Sequence, residues 1–242
     1  MTHENVLNFT TRSARGLGRW VLDLVLPPSC VVCGHLETWL CESCADQLTP
    51  TDRPVCPRCG DHWEGPGVCM RCRAHPLHVA PIRSLFLFEG PVRDAIHALK
   101  YRGGRDVATP LGVRMAEIWV ERHLTTDLLV PVPLHVDREA KRGYNQSTLL
   151  ARELARRVGV ASDECLLFRT RRTPSQAKLE RHQRWHNVRD AFLCPEDRDL
   201  TGLVITLVDD VVTTGATLEA CAVALLAQGA RRVNAYTLSH AV

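Results

Sequence analysis

The chain has 242 residues, 45% of them hydrophobic and 24% charged, with a formal net charge of +3. That length buries a substantial core in one large domain or two smaller ones, and the composition excludes a disordered or fibrous chain. The basic excess is too small to announce a nucleic-acid binder, and no run approaches the roughly 20 apolar residues of a membrane span.

Leu17, Trp20, Val21, Leu24 and Val25 recur at helical spacing within residues 12–26, which predicts an amphipathic N-terminal helix in residues 1–28. The plain expectation is packing on the rest of the protein. Arg12, Arg15 and Arg19 also suit a membrane surface or a partner. The apolar stretch Trp20–Leu26 is seven residues long, meets Pro27-Pro28 directly and has no small-x-small cleavage site. The expectation is therefore a cytoplasmic protein with reduced cysteines.

Residues 29–80 hold eight of the eleven cysteines, as the pairs Cys30/Cys33, Cys41/Cys44, Cys56/Cys59 and Cys69/Cys72. Two intervening residues let a tight turn aim two thiolates at one ion, and two such pairs complete a tetrahedral four-sulfur site. Gly34 and Gly60 directly follow the second cysteine of two pairs, where a zinc knuckle needs an unhindered backbone. Two structural Zn2+ sites are expected. Sequential pairing is the economical arrangement, interleaved pairing is the alternative, and an iron–sulfur cluster is the rival ligand. Full sulfur coordination leaves His35, His62, His75 and His78 unneeded, and the metal is expected to supply folding energy to a small region.

From residue 81 to 242 strands and helices alternate, which predicts an α/β domain with a mainly parallel sheet covered on both faces. The predicted elements are a strand at 84–88, helices at 91–100 and 110–122, a strand at 128–132 and a helix at 145–158. A strand at 166–169, a polar basic stretch over 170–190, a strand at 203–208, a helix at 214–228 and a strand at 233–238 follow. The decisive segment is Val204 to Thr217, where an apolar strand ends in Asp209-Asp210, passes a small hydroxyl-rich loop and opens a helix. Backbone N–H groups at a helix N-terminus, Gly215 and the threonine hydroxyls make an anion cradle suited to a phosphate monoester. Two carboxylates would repel that phosphate. They belong beside hydroxyls or a cation, and a ribose with Mg2+ supplies both.

This segment resembles the phosphoribosyl-diphosphate (PRPP) signature of type I phosphoribosyltransferases. Further stretches resemble the ComF branch, the competence-associated, amidophosphoribosyltransferase-like group: Leu26-Pro27-Pro28, Leu99 to Gly103, Val130 to His135, Arg142 to Gln146, and Thr173 to Gln176 with Arg181, Arg184, Asn187 and Val188. The resemblance covers essentially the whole chain. It implies that Asp209 and Asp210 hold the ribose hydroxyls and are catalytic candidates, that Val211 and Val212 belong with them to the PRPP-binding segment, and that Thr213, Thr214, Gly215, Ala216 and Thr217 surround the 5′-phosphate. The loop after Val132 is expected to face the pyrophosphate, with Arg138, Lys141 and Arg142 as candidates there. Residues 170–190 are expected to close over the reacting centre, with Arg181 and Arg184 as catalytic candidates. Mg2+ and basic side chains must hold the departing charge.

Thr213 departs from the purine-salvage relatives, which carry an acid at that position; threonine is no general base, so purine salvage is not expected. A glutaminase domain, a Walker A sequence and a Gly-x-Ser-x-Gly elbow are all missing. The favoured reading is transfer of phosphoribosyl from PRPP to an unidentified acceptor with release of pyrophosphate. The alternative is an accessory protein of DNA uptake that binds single-stranded DNA or partner proteins and keeps the PRPP fold as scaffold or sensor. The basic run from Arg169 to Arg189 suits either ligand, although Trp185 is its one aromatic residue for base stacking.

Overall fold

The computed structural model describes residues 27–48, 50, 52–101, 104–171 and 181–241. The expected helix over 12–26 lies outside them. Five strands form one parallel sheet: β1 (Val79–Leu87), β2 (Leu128–Pro131), β3 (Ala161–Ser162), β6 (Val204–Val212) and β7 (Arg232–His240), in the order β1-β7-β6-β2-β3. A separate antiparallel ribbon pairs β4 (Phe168–Arg169) with β5 (Phe192–Leu193). The helices are α1 (Glu42–Asp46), α2 (Met70–Ala74), α3 (Gly90–Tyr101), α4 (Ala108–Glu121), α5 (Val136–Arg142), α6 (Gln146–Val158), α7 (Arg181–Val188) and α8 (Ala216–Ala227).

Side chains alternate across each strand, so the sheet divides two cores. Ile205, Leu207, Val233 and Ala235 join Leu218, Cys221, Ala222 and Leu225 of α8 on one face. Val208, Tyr236 and Leu238 join Ala95, Ile96 and Leu99 of α3, Leu111 and Met115 of α4, and Leu150 and Leu154 of α6 on the other. Where the sequence predicts one long polar loop over 170–190, the structure has α7 packed on α8. Val188 enters the core and Trp185 lies against it, two anchors on an otherwise polar helix. The predicted strand over 166–169 shrinks to Phe168–Arg169, because Leu166 and Leu167 are both buried in the core rather than paired. Helix α5 arises from a stretch with no predicted element. His135 caps it by accepting from the Asp137 N–H at 3.2 Å, and Gly143 closes it in the left-handed region at φ 81°.

The cysteine region is an internal repeat. In each half the first cysteine N–H donates to a carbonyl five residues on, Cys30 to His35 at 2.7 Å and Cys56 to Asp61 at 2.8 Å. Gly34 and Gly60 turn at φ 78° and 73° and donate back to Cys30 and Cys56. Short helices α1 and α2 begin directly after Cys41 and Cys69. The two halves dock on opposite cores, Cys30 and Cys44 with α3 and α4, and Cys56, Cys59, Cys69 and Cys72 with α8. Edge strand β1 runs between them, and the Ile82 N–H donates to the Arg58 carbonyl at 2.9 Å. The second half thus covers part of an edge that would otherwise invite another strand.

Candidate functional site

Each four-cysteine set is sequential: Cys30, Cys33, Cys41 and Cys44, then Cys56, Cys59, Cys69 and Cys72, with all sulfurs of a set within 4.8 Å of one another. The Sγ atoms of Cys33 and Cys41 are 3.6 Å apart, and those of Cys59 and Cys69 3.7 Å. Tetrahedral zinc with Zn–S bonds of about 2.3 Å spaces its sulfurs by roughly 3.8 Å, so the sets fit the ion. Backbone N–H groups converge on the leading sulfurs, Cys41 on Cys30 at 3.5 Å and Cys69 on Cys56 at 3.3 Å. Burial raises the Cys30 and Cys56 thiols, but these and neighbouring backbone N–H groups outweigh it and lower both to about 6. A lowered thiol is a ready thiolate ligand.

At the carboxyl ends of the parallel strands lies a cleft of about 800 Å³, the place where open α/β sheets bind ligands. The structure brings Asp209, Asp210, Val211, Thr213, Thr217, Arg138, Lys141 and Arg142 to its lining. Val212, Gly215 and Ala216 join Thr213 and Thr217 around a small hollow of about 30 Å³ at the start of α8. Gly215 takes φ 79°, which lets the chain turn sharply into the helix beside that hollow, and the first N–H groups of a helix favour an anion. Thr214 is buried, and its Oγ1 accepts from the Ala216 N–H at 3.3 Å. Arg184 lines a second, neighbouring cavity instead of this cleft, and Arg181 stands in the first turn of the same helix α7.

The carboxylates have different surroundings. Asp210 is 3% exposed and pairs with Lys100 Nζ at 2.7 Å. Asp209 is half-buried and accepts from Ser147 Oγ at 2.8 Å and from the Asp210 N–H at 2.9 Å. Burial, then repulsion from Asp210, push Asp209 up to about 7. An Asp whose folded pKa is raised favours the folded state at low pH, and that advantage fades as pH rises through about 7. Asp209→Asn is therefore expected to stabilise the ligand-free protein by about 2 kcal/mol at pH 8 and by little at pH 4, read from denaturant unfolding at both. Equal effects at the two pH values would contradict the assignment.

The same cleft is also lined by basic side chains, Lys100, Arg138, Lys141, Arg142 and Arg169. Burial, then the neighbouring Arg138, lower the Arg169 pKa, so two guanidiniums that repel each other share one wall. An anion between them relieves that repulsion. Arg142 lies over the Tyr101 ring at 5.5 Å and donates to Gln146 Oε1. The segment Arg142 to Gln146 fixes this wall: Tyr144 donates to the Leu99 carbonyl at 2.7 Å, and Asn145 donates to the Val132 carbonyl at 3.0 Å while capping α6. Lys100, Ser147 and Arg169 are the site residues missed by sequence reasoning. Lys100 stood in the family-like stretch Leu99 to Gly103 and Arg169 in the basic run, but only the fold brings Lys100 to Asp210 and Arg169 near Asp209.

A parallel sheet whose acidic strand end leads through a threonine-rich loop into a helix, fronted by two four-cysteine ribbons, defines a type I phosphoribosyltransferase-like protein with a double zinc ribbon. The chain belongs to the ComF/YhgH family. It is 33% identical over 230 residues to the DNA utilization protein YhgH of Escherichia coli K12, spanning 89% of this chain and 98% of that protein. It is 27% identical over 210 residues to the competence protein ComFC of Bacillus subtilis, covering 82% and 83% of the two chains. Competence protein F of Haemophilus influenzae is 26% identical over 233 residues, covering 88% and 96%. The double zinc ribbon domain family matches residues 21–73. Among solved structures, the Bacillus subtilis glutamine PRPP amidotransferase complexed with ADP and GMP is similar at a TM-score of 0.42 and 17% identity. The likeness covers 59% of this chain but 30% of that one. Among the described residues no helix is long and apolar enough to cross a membrane.

Proposed function

We propose that this protein binds PRPP with Mg2+ and transfers its phosphoribosyl group to an acceptor, releasing pyrophosphate, on the cytoplasmic side where thiolate zinc sites stay reduced. The observation that carries this reading is that one cleft is lined by Asp209, Asp210, Thr213 and Thr217 together with Arg138, Lys141, Arg142 and Arg169, with the small hollow at the start of α8 beside the two acids. In this reading Thr213 to Thr217 hold the 5′-phosphate, and Asp209 and Asp210 hold the ribose hydroxyls. Arg138, Lys141, Arg142 and Arg169 orient the pyrophosphate. Mg2+, when bound with the substrate, supplies charge neutralisation at the departing oxygens. Breaking the C1–oxygen bond moves charge onto the pyrophosphate, and fixed guanidiniums already in place lower that barrier. Ser147 fixes the Asp209 carboxylate by donating to its Oδ1.

Ligand binding raises the thermal midpoint by mass action. With PRPP and Mg2+ at roughly one hundred times Kd the midpoint is expected to rise by several degrees, and the Asp209→Ala, Asp210→Ala double variant is expected to show no rise. An equal rise in the double variant would remove the two acids from the site. The biological setting we propose is DNA uptake or utilisation, supported by the names of the Escherichia coli, Bacillus subtilis and Haemophilus influenzae relatives. Binding of single-stranded DNA or of uptake proteins belongs to that same setting.

A further inference from the structure

The two halves of the cysteine repeat fold alike but bury their sulfurs very differently. In the second half Cys56, Cys59, Cys69 and Cys72 are all buried, none more than 7% exposed, and all four belong to the core shared with α8. In the first half Cys30 and Cys44 are each 3% exposed, but Cys41 is half-buried and Cys33 is exposed and part of neither core. Cys33 Sγ lies 3.6 Å from Cys41 Sγ, so the two residues that solvent reaches are also neighbours across the site. The surrounding charge differs in the same direction. Arg71, directly before Cys72, places its guanidinium beside Cys59 and Cys72 and pairs with Asp61 at 2.9 Å. At the corresponding positions of the first half, Ser43 replaces Arg71 and Glu42 replaces Met70, and both are exposed. Four thiolates around one Zn2+ carry a net negative charge. A guanidinium beside them offsets that charge and draws electron density from sulfur, which slows attack on an electrophile. The first half lacks that cation at this position and leaves its outermost thiolate electron-rich and open to water.

We propose that the first ribbon is an oxidant-responsive modification site, at which peroxide joins Cys33 to Cys41 and releases the first zinc ion while the second stays bound. The Cys33 thiolate attacks one peroxide oxygen, the O–O bond breaks, and hydroxide leaves with the electron pair, giving a sulfenic acid. The Cys41 thiolate then attacks that sulfur, the S–S bond forms, and the S–O bond breaks to release a second hydroxide. Each thiolate has given up one electron, and the peroxide has taken both. Zn2+, left with Cys30 and Cys44 alone, passes to solvent. In a reducing compartment such a bond is transient, which suits a switch and not a staple. Because the second half packs on α8 and keeps its ion, the modification alters the outer ribbon without dismantling the cleft.

The test adds hydrogen peroxide to the zinc-loaded full chain beside a chromophoric zinc chelator, with chelator alone as the control. The cysteines are mapped by mass spectrometry on the same samples. The expected result is that one of the two ions leaves roughly tenfold or more faster than the other. The map should show a Cys33–Cys41 disulfide with the four cysteines of the second half unmodified, and a small thiol with added zinc should reverse the change. Cys33→His keeps a four-ligand centre of three sulfurs and one imidazole nitrogen but removes the open sulfur. Peroxide-driven release of its first ion is expected to slow roughly tenfold. Release of both ions at one rate, oxidation mapped first to the second half, or no release at peroxide levels that oxidise free cysteine overturns the proposal. A Cys33→His protein that loses its first ion at the parental rate does so as well. The peptide map of the unaltered chain decides the matter even where the histidine variant holds zinc poorly.

Discussion

Replacing Cys72 with alanine is expected to abolish PRPP binding and to lower the thermal midpoint by about 10 °C or more, although no cysteine lines the cleft. The reason is where the second ribbon is docked. Its four cysteines share a core with Ala216, Leu218 and Cys221 of the helix that opens the phosphate loop. Arg58 accepts from the Ile82 N–H, and the Ile82 side chain reaches to 3.4 Å from where a Cβ on Gly215 would stand. Glu219, in the first turn of the same helix, accepts from the N–H groups of His78 and Val79 at 2.8 and 3.0 Å. Losing the ion therefore loosens the scaffold beneath the phosphate loop. The glycine pair of the internal repeat offers a control that leaves every ligand sulfur in place. Gly34 and Gly60 share a left-handed backbone, so alanine strains both equally. A Cβ at Gly34 meets open space, whereas at Gly60 it would stand 2.9 Å from the Ile82 carbonyl oxygen. Gly60→Ala should cost about 1–2 kcal/mol more than Gly34→Ala in denaturant unfolding. PRPP affinity should fall in the Gly60 variant alone. Equal losses would show that the second ribbon does not brace the loop.

Lys100→Ala carries the other large expectation, a loss of about 2–4 kcal/mol of stability together with PRPP binding weakened at least tenfold. The ion pair it breaks is nearly enclosed, with 5% of the Asp210 side chain exposed and Lys100 Nζ 2.7 Å from Oδ2. Removing one partner leaves a carboxylate without its compensating charge, which costs more than the pair itself contributes. The Lys100→Met, Asp210→Asn double variant keeps the packing without either charge and should recover most of the stability but none of the binding. A double variant as unstable as Lys100→Ala would place the loss in packing. The same lysine keeps Asp210 anchored before substrate arrives, so a ligand that recruits both acids works against this contact.

Much of this architecture was legible in the sequence, and the exceptions share a physical cause. The phosphate loop and the cysteine pairs are local devices, each written within a few residues, and Asn145 stood at the start of its helix as a cap should. Strand β6 runs four residues past the predicted end, through Asp209 and Asp210 to Val212, because β7 pairs with it along that whole length. Helix α7 was hidden because its sequence is polar and basic, and its hold on the core comes through Trp185 and Val188 alone among the described side chains. Lys100, Ser147 and Arg169 reach the acids from three different elements, which no local pattern encodes. Nor does any spacing rule say that the two ribbons dock on opposite faces of the sheet, or that Asp61 meets His240, residues joined only by the fold. What the cysteines announced as a separate metal module is, in its second half, continuous with the core of the site.

The central claim is tested most directly by titrating PRPP into the zinc-loaded protein in a calorimeter, with and without Mg2+, and repeating the titration on the Asp209→Ala, Asp210→Ala variant. One PRPP per chain, bound only with Mg2+ and lost in the variant, is the predicted result. A folded, zinc-loaded protein that takes up no PRPP, or a variant that binds it as well as the parent, would contradict the assignment of this cleft.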